Sequence, residues 1–413
     1  MPLPRVLMLP KWYPNRYDDQ DGDFVARHVD AIARVADADG PARIAVVFAA
    51  VARGPLPRLI DVEVDLKGRV PTWRYYYRAR LTGIGPVDRL LKLVLWTLCT
   101  WRGLRAVRRH WGGQWPEIVH AHVLLRTGAF ALALKWLRGI PYLITENWTI
   151  FAPANVWKLG RFRQWLAGLL VRQAAAYTPV SDDLRRNLAR LGGVNPRTVI
   201  VPNVVDTELF HLPAAGQRRR GLLNVAAFNE KAKNLSGLLR TVARLRTAHP
   251  HLNLHLRIAG YGAAEAQMHQ LATDLGLLAD GTVEFLGKLT SPQVAEEMRR
   301  AQAFVLFSNY ENLPCVLIEA QASGLPAVAT SVNGVPELLP PDGTRGLLVP
   351  PADEAALAQA LLTVLQADTA RFDPAVLRAA AEENFSYPAV GQRFAALYAN
   401  IVRTPVPQSV VAR

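Results

Sequence analysis

Cysteine is nearly absent: Cys99 and Cys315 are the only two in 413 residues. Far apart in sequence, they offer neither a disulfide framework nor a metal-binding spacing, and a reducing cytoplasm is the expected home. No uncharged apolar stretch approaches the roughly 18 residues of a spanning helix. The opening M-P-L-P-R-V-L-M-L-P carries too short an apolar run for a secretory signal and flows straight into a strand-like start. Acids are the scarcer charge, 34 against 48 Lys and Arg, which leaves +14. That excess favours nucleotide phosphates, phospholipid headgroups or nucleic acid as partners. Nucleic acid is set aside, because no helix-turn-helix, zinc or stacking-sheet motif accompanies the charge. Also missing are G-x-S-x-G, H-E-x-x-H and a Walker lysine loop. The D-A-D at 37–39 lies in a polar loop rather than at a strand end, so it reads as a loop cap and not as a metal-chelating pair for a nucleotide sugar.

What is present is alternation. Strand-like runs at 6–9, 44–49, 118–121, 142–145, 177–180 and 198–201 are separated by helical patterns at 23–35, 87–109, 127–137, 161–175 and 182–191. A turn-rich P-N-V-V-D and a basic stretch at 214–220 mark a junction, and the rhythm restarts at 222–226, 254–259, 283–286, 303–307 and 327–330. Such alternation predicts parallel sheets covered on both faces, and the length predicts two domains. A last helix, 389–401, has no strand after it. The helix from Asp88 to Trp111 interleaves Trp96, Trp101 and Trp111 with five arginines and a lysine; residues 161–170 have the same flavour. Either it is a core helix with a solvated basic face, or it lies against an anionic membrane.

Chemistry concentrates in a few places. Glu311 and Glu319 bracket a turn, the first in a loop after an apolar strand and the second inside a helix that Pro314 opens. A carboxylate in an apolar helix needs partners, and polyhydroxylated ligands supply them. Gly22 sits at a strand-to-helix turn where backbone can approach a ligand. His120-Ala121-His122 ends a strand, with alternation placing both rings on one face; packing is the ordinary role for such rings, and two ligands without a third make a poor metal site. Glu230-Lys231-Ala232-Lys233-Asn234 follows a strand and puts cations where phosphates would gather. Ala259-Gly260-Tyr261-Gly262 imitates a dinucleotide fingerprint, but Glu265 replaces its third glycine and no ribose acid follows. Hydride chemistry is therefore not expected.

Together these segments resemble the retaining, GT-B glycosyltransferases of family 4. The resemblance rests on S-N-Y-E-N-L-P at 308–314 through Glu319-Ala320, G-L-P-A-V-A-T at 324–330, N-G-V-P-E at 333–337 and G-L-L-V-P at 346–350. P-N-V-V-D at 202–206, H-A-H at 120–122 and T-E-N-W at 145–148 add to it. The start, W-Y-P at 12–14 and G-D-F-V at 22–25, is similar to a branch acting on bacterial surface polysaccharides.

The resemblance implies two Rossmann-like domains facing each other across a cleft: residues 1–205 on the acceptor side and 206–385 holding a nucleotide sugar. Residues 386–413 would supply a helix crossing back to the first domain, and a tail. It implies that Glu311 bonds the donor-sugar hydroxyls, assisted by backbone N–H groups of Asn312 and Leu313. Glu319 would take the ribose, Leu317 would line the donor site, and Lys233 or Lys231 would neutralise the diphosphate. His122 would reach the sugar or diphosphate, Gly22 would let its loop close on the phosphates, and Glu146 and Asn147 would stand on the acceptor side. The partners implied are a nucleotide-sugar donor and a glycan or lipid-linked acceptor, with no metal or other cofactor; the expected location is the cytoplasm, at the inner face of the membrane if the basic helix makes that contact. Two positions depart from the pattern. Val225-Ala226-Ala227-Phe228 lacks the arginine that often precedes the phosphate lysine, and Asn147 stands where histidine is frequent. A nucleotide-sugar epimerase or phosphorylase on a related scaffold, and a non-catalytic binding subunit, are the alternatives.

Overall fold

The computed structural model describes residues 3–36, 43–252, 254–366 and 371–403. The D-A-D at 37–39 lies outside the described residues. Contacts divide the chain into two compact units, the first reaching Val180, resuming at Leu184–Val204 and including the final helix, the second dominated by Val205–Ser386.

In chain order the first unit contains β1 (Val6–Pro10), α1 (Asp23–Val35), β2 (Ile44–Val51), β3 (Ile60–Asp65), β4 (Thr72–Tyr77) and α2 (Gly85–His110). There follow β5 (Ile118–His122), α3 (Leu124–Arg138), β6 (Tyr142–Glu146), α4 (Arg161–Gln173), β7 (Ala176–Pro179) and α5 (Asp182–Arg190). Its sheet runs β3-β4-β2-β1-β5-β6-β7. The strands are short apolar runs such as V-L-M-L-P, buried along their whole length, as central parallel strands must be.

The sheet is not wholly parallel, as the alternation predicted. β3 pairs antiparallel with β4, and neither strand was expected. β3 is an edge strand of alternating Val, Asp and Glu, half in water, and carries little apolar signal. The expected strand at 198–201 is a single bridge, Tyr177 to Thr198. Val199 and Val201 donate to the carbonyls of Tyr177 (3.0 Å) and Pro179 (3.1 Å), but Pro179 and Pro202 have no N–H to extend the ladder.

The tryptophans of α2 are also placed differently from a membrane-facing reading of them. Trp96 and Trp111 are buried, and Trp96 and Trp101 meet Phe130 of α3 edge-on at 6.0 and 6.4 Å. Water instead meets Leu81, Ile84, Leu90, Leu93, Val94 and Leu98.

The second unit carries β8 (Leu222–Val225), α6 (Glu230–Lys233), α7 (Leu235–Ala248), β9 (Leu256–Ala259), α8 (Glu265–Asp274), β10 (Val283–Gly287) and α9 (Ser291–Arg300). It continues with β11 (Ala303–Leu306), α10 (Cys315–Ala322), β12 (Ala327–Thr330), α11 (Val335–Leu338), β13 (Gly346–Val349), α12 (Glu354–Gln366) and α13 (Pro374–Phe385). The sheet order is β10-β9-β8-β11-β12-β13, and every pairing is parallel. Leu222, Ile258, Val305 and Val328 of the strands close a core with Leu238, Val242 and Leu361 of the helices.

The last helix, α14 (Tyr387–Arg403), packs on α1 in the first unit. Gly391 permits the close approach, since a Cβ there would sit 2.3 Å from the carbonyl oxygen of Ala31.

Candidate functional sites at the two sheet edges

An open parallel sheet binds ligands beyond the carboxyl ends of its strands, at the point where strand order reverses. In the second unit that point lies between β8 and β11, which are hydrogen-bonded neighbours. The chain leaving β8 turns through α6 and ends on Lys233; the chain leaving β11 becomes the loop holding Glu311. Two residues 78 apart in sequence thus meet: Lys233 Nζ pairs with Glu311 Oε1, and the hydroxyl of Ser308 donates to the same oxygen at 2.7 Å. The backbone N–H of Glu311 donates to Asn333 Oδ1 at 3.2 Å. Glu311 is only 8% exposed, whereas Lys233 keeps 19% of its side chain open.

Lys231 is exposed, and its carbonyl accepts from Asn309 Nδ2 at 3.2 Å. Of the two lysines, Lys233 is the one that reaches Glu311. Asn312 offers its carbonyl to the Gly334 N–H at 3.1 Å. Leu313 and Leu317 are buried, and Glu319 lies at 5% exposure on the second turn of α10. Pro314 is the residue capping α10 rather than part of its first turn. The glycines of the false dinucleotide fingerprint have a local explanation. A Cβ on Gly260 would stand 1.9 Å from the Ala226 carbonyl oxygen, and one on Gly262 2.9 Å from that of Phe228. Both let the loop after β9 pack on the loop after β8.

In the first unit the strand order reverses between β1 and β5. His122 ends β5, and Glu146 ends β6 beside it. The two histidines share a face, as alternation requires, with His120 and His122 stacked at 4.1 Å and His28 of α1 5.9 Å from His122. His120 bonds the Tyr398 hydroxyl (2.7 Å) and Thr145 Oγ1 (2.6 Å), and His28 bonds the Pro202 carbonyl (2.8 Å). Neither ring nitrogen of His122 has a partner among the described residues. All three rings are fully buried, so His122 stands inside the stack rather than at a surface where a sugar could meet it. Burial drives all three pKa values down, that of His28 to about 4.

Glu146 is likewise enclosed. Its carboxylate accepts from the backbone N–H groups of Leu124 (2.7 Å), Asn147 (2.9 Å) and Trp148 (2.7 Å), and burial raises its pKa to about 7. Asn147 donates to Asn203 Oδ1 at 2.8 Å. Gly22 adopts φ +69°, and a Cβ there would lie 2.3 Å from the backbone of Trp12, so the glycine seats that tryptophan. Among the described residues, no three or more His, Cys, Asp or Glu side chains are arranged to hold a metal ion.

One group at this edge escaped the sequence reading. Lys11 follows β1 directly, and its ammonium lies 3.0 Å from the ring centre of Trp148 and 4.3 Å from that of Trp12. A lone lysine after a strand carries no motif. Its only signal was the neighbouring tryptophan, whose partner comes from a distant strand end.

Comparison with known proteins agrees with this architecture. Residues 219–367 match the family described as Glycosyl transferases group 1, and residues 16–204 the Glycosyl transferase 4-like domain. The MMP alpha-(1->4)-mannosyltransferase of Mycolicibacterium hassiacum is 28% identical over 323 residues, 75% of this chain and 72% of that protein. Among solved structures, the sucrose-phosphate synthase of Thermosynechococcus elongatus superposes with a TM-score of 0.73 at 20% identity, covering 97% of this chain and 99% of that one. Anabaena HepE in complex with UDP and glucose gives 0.69 at 17% identity, covering 96% and 99%.

Proposed function

Since the chain belongs to glycosyltransferase family 4 and has the GT-B fold, we propose that it is a retaining enzyme carrying a sugar from a nucleotide-sugar donor to a glycan or lipid-linked acceptor, in bacterial surface polysaccharide or glycolipid synthesis. The observation that carries the donor side is the meeting of Lys233 and Glu311 where the second sheet reverses its order. Breaking the anomeric C–O bond sends its electron pair to the departing nucleoside diphosphate and leaves oxocarbenium character on the sugar. Lys233 neutralises the diphosphate, with Lys231 nearby on the exposed side of α6. Glu311 orients the sugar hydroxyls, with backbone N–H groups of Asn312 and Leu313 beside it, Leu317 lining the site and Glu319 on the ribose. Fixed charge aimed at a leaving group contributes several kcal/mol in such reactions. The acceptor hydroxyl bonds to the anomeric carbon on the face the diphosphate leaves, and its proton passes to a phosphate oxygen. The reaction needs no resident metal on this reading, because Lys233 supplies the positive charge. On this reading Glu146 and Asn147 stand on the acceptor side, the buried Glu146 carboxylate bracing its loop through three backbone N–H groups, and Gly22 lets its own loop approach the phosphates.

A donor panel tests this. Because HepE was seen with UDP and glucose, UDP-sugars head the panel, with EDTA present throughout. One nucleotide sugar should raise the melting temperature by several degrees, since a ligand specific to the folded state stabilises it. Nucleoside diphosphate should then appear only when a glycan or lipid-linked acceptor is added. Epimerisation or release from donor alone would instead favour an epimerase or phosphorylase, and saturable binding without turnover a binding subunit.

The same chain is proposed to rest on the inner face of an anionic membrane. No helix among the described residues is long and apolar enough to cross one. The exposed aliphatic side chains of α2 and its approach, with Arg80, Arg89 and Lys92 among them, form the contact. Sedimentation with anionic liposomes should be strong at low salt and weaken as salt screens the headgroups. A protein that stays in the supernatant at low salt removes this contact.

A further inference from the structure

We infer that the cavity at the amino-terminal edge of the first sheet is a second binding site, for a small phosphate ester with a flat apolar body. This site stands apart from the transferase reading above. The cavity measures about 420 Å³, within the roughly 300–1,000 Å³ usual for small-molecule sites. Arg5, Arg43 and Pro71 line it, each one residue ahead of β1, β2 or β4, together with His110 and Trp111 where α2 ends. It therefore lies at the opposite strand ends from His122 and Glu146, which close β5 and β6.

Charge determines what the cavity can hold. Arg5, Arg43 and Arg69 line it, and among the described residues no carboxylate does. Strand register sets two of the three side by side: Val6 pairs with Ile44, and the Val6 N–H donates to the Arg43 carbonyl at 2.8 Å. Adjacent strands run ~4.8 Å apart, so like charges on neighbouring strands repel unless an anion joins them. Arg5 is partly answered, by Glu117 at 3.4 Å and the Trp115 carbonyl at 3.1 Å. Arg69 holds Asp30 at 3.1 Å, a carboxylate already shared with Arg34. Among the described residues no acceptor or carboxylate reaches the guanidinium of Arg43. A phosphate between these arginines gains charge-assisted bonds that the protein itself leaves unmade.

The apolar body has its own footing. Trp111 forms a buried wall, and Leu66, on the turn after β3, is 55% exposed. A fork of guanidinium groups facing an indole and an aliphatic chain suits a ligand with a charged head and a flat body. Inorganic phosphate alone leaves most of that space empty.

Calorimetric titration of the full chain with phenyl phosphate tests the assignment, with excess UDP present to occupy a donor site. The ester should bind, and Arg43→Gln and Arg69→Gln should each weaken it by about tenfold. Arg69 is 58% exposed, so its replacement leaves the core untouched. Inorganic phosphate and phenol should each bind at least about tenfold more weakly than the ester. In protein labelled with 5-fluorotryptophan, the fluorine resonance of Trp111, assigned through Trp111→Phe, should move on titration and stay still in Arg43→Gln. No binding of the ester, equal binding in both arginine variants, or a Trp111 resonance indifferent to the ester overturns the inference. So does phosphate or phenol binding as tightly as the ester. Failure of UDP to bind would count against the donor assignment alone, because the arginine variants still locate the ester.

Discussion

Glu311→Gln should cut the turnover number by at least about tenfold, some 1.4 kcal/mol of transition-state stabilisation, while nucleoside diphosphate affinity is held or rises. The amide keeps the size of the side chain and can still accept from Ser308, whose hydroxyl lies 2.7 Å away. What it removes is the charge that holds Lys233. If Lys233 serves the leaving group as proposed, that ion pair ties it up in the free protein, and donor binding would exchange one anion for another. Glutamine omits the exchange, leaving the lysine ready for the diphosphate. The cost falls on the sugar, whose hydroxyls lose an ionised acceptor as charge develops on the ring. Calorimetric titration with the nucleoside diphosphate, beside steady-state kinetics, separates the two effects. Nucleotide binding lost in step with turnover would show that Glu311 serves the nucleotide and not the sugar.

Stability should fall steeply between pH 6.5 and about 4. His28, His120 and His122 are buried as neutral rings, with folded-state pKa values pushed below the ordinary histidine value, His28 to about 4. An unfolded chain takes up those protons first. Stability is therefore fully present above about pH 6.5 and drains away as pH falls towards the folded values, by about 3 kcal/mol for His28 alone. Glu146 acts in the opposite sense. Its pKa is raised to about 7, so the folded state binds that proton more tightly and gains as pH drops from 7 towards 4.5. Three histidines outweigh one carboxyl. Urea midpoints at pH 7.5, 6 and 4.5 should decline in that order. His122→Phe should flatten the decline and raise the midpoint at pH 7.5, because it deletes two buried ring nitrogens without partners. A midpoint indifferent to pH would show that the stack tolerates charge.

Most of the parallel strands and most helices were legible because each is a short apolar run or an amphipathic period bounded by turn residues; β4, parallel to β2, was not. The helix at 23–35 was read to the residue. β3 and β13 were missed for different reasons: one mixes acids into an edge, and the other is four residues opening on a glycine. The edge proposed for the donor drew notice through glutamates whose isolation in apolar surroundings demands a partner. That Glu311 and Lys233 partner each other could not be read, since only the adjacency of β8 and β11 joins them. Composition left the basic helix open between a core and an interfacial role: Trp96 and Trp111 are spent on the core, while aliphatic side chains of the helix meet water. Lys11 was invisible because its aromatic cage exists only in three dimensions.

The packing of α14 on α1 has a bearing on biogenesis. Phe394 and Tyr398 touch His120, and Phe394 also touches His28, so residues of α14 fill the core of a unit whose sheet is built from much earlier in the chain. A nascent chain emerging from the ribosome can finish its second sheet while the first still lacks this plug. The first unit is then completed only once α14 has been made, and a bulky insertion placed close behind Arg403 would burden that step before any other.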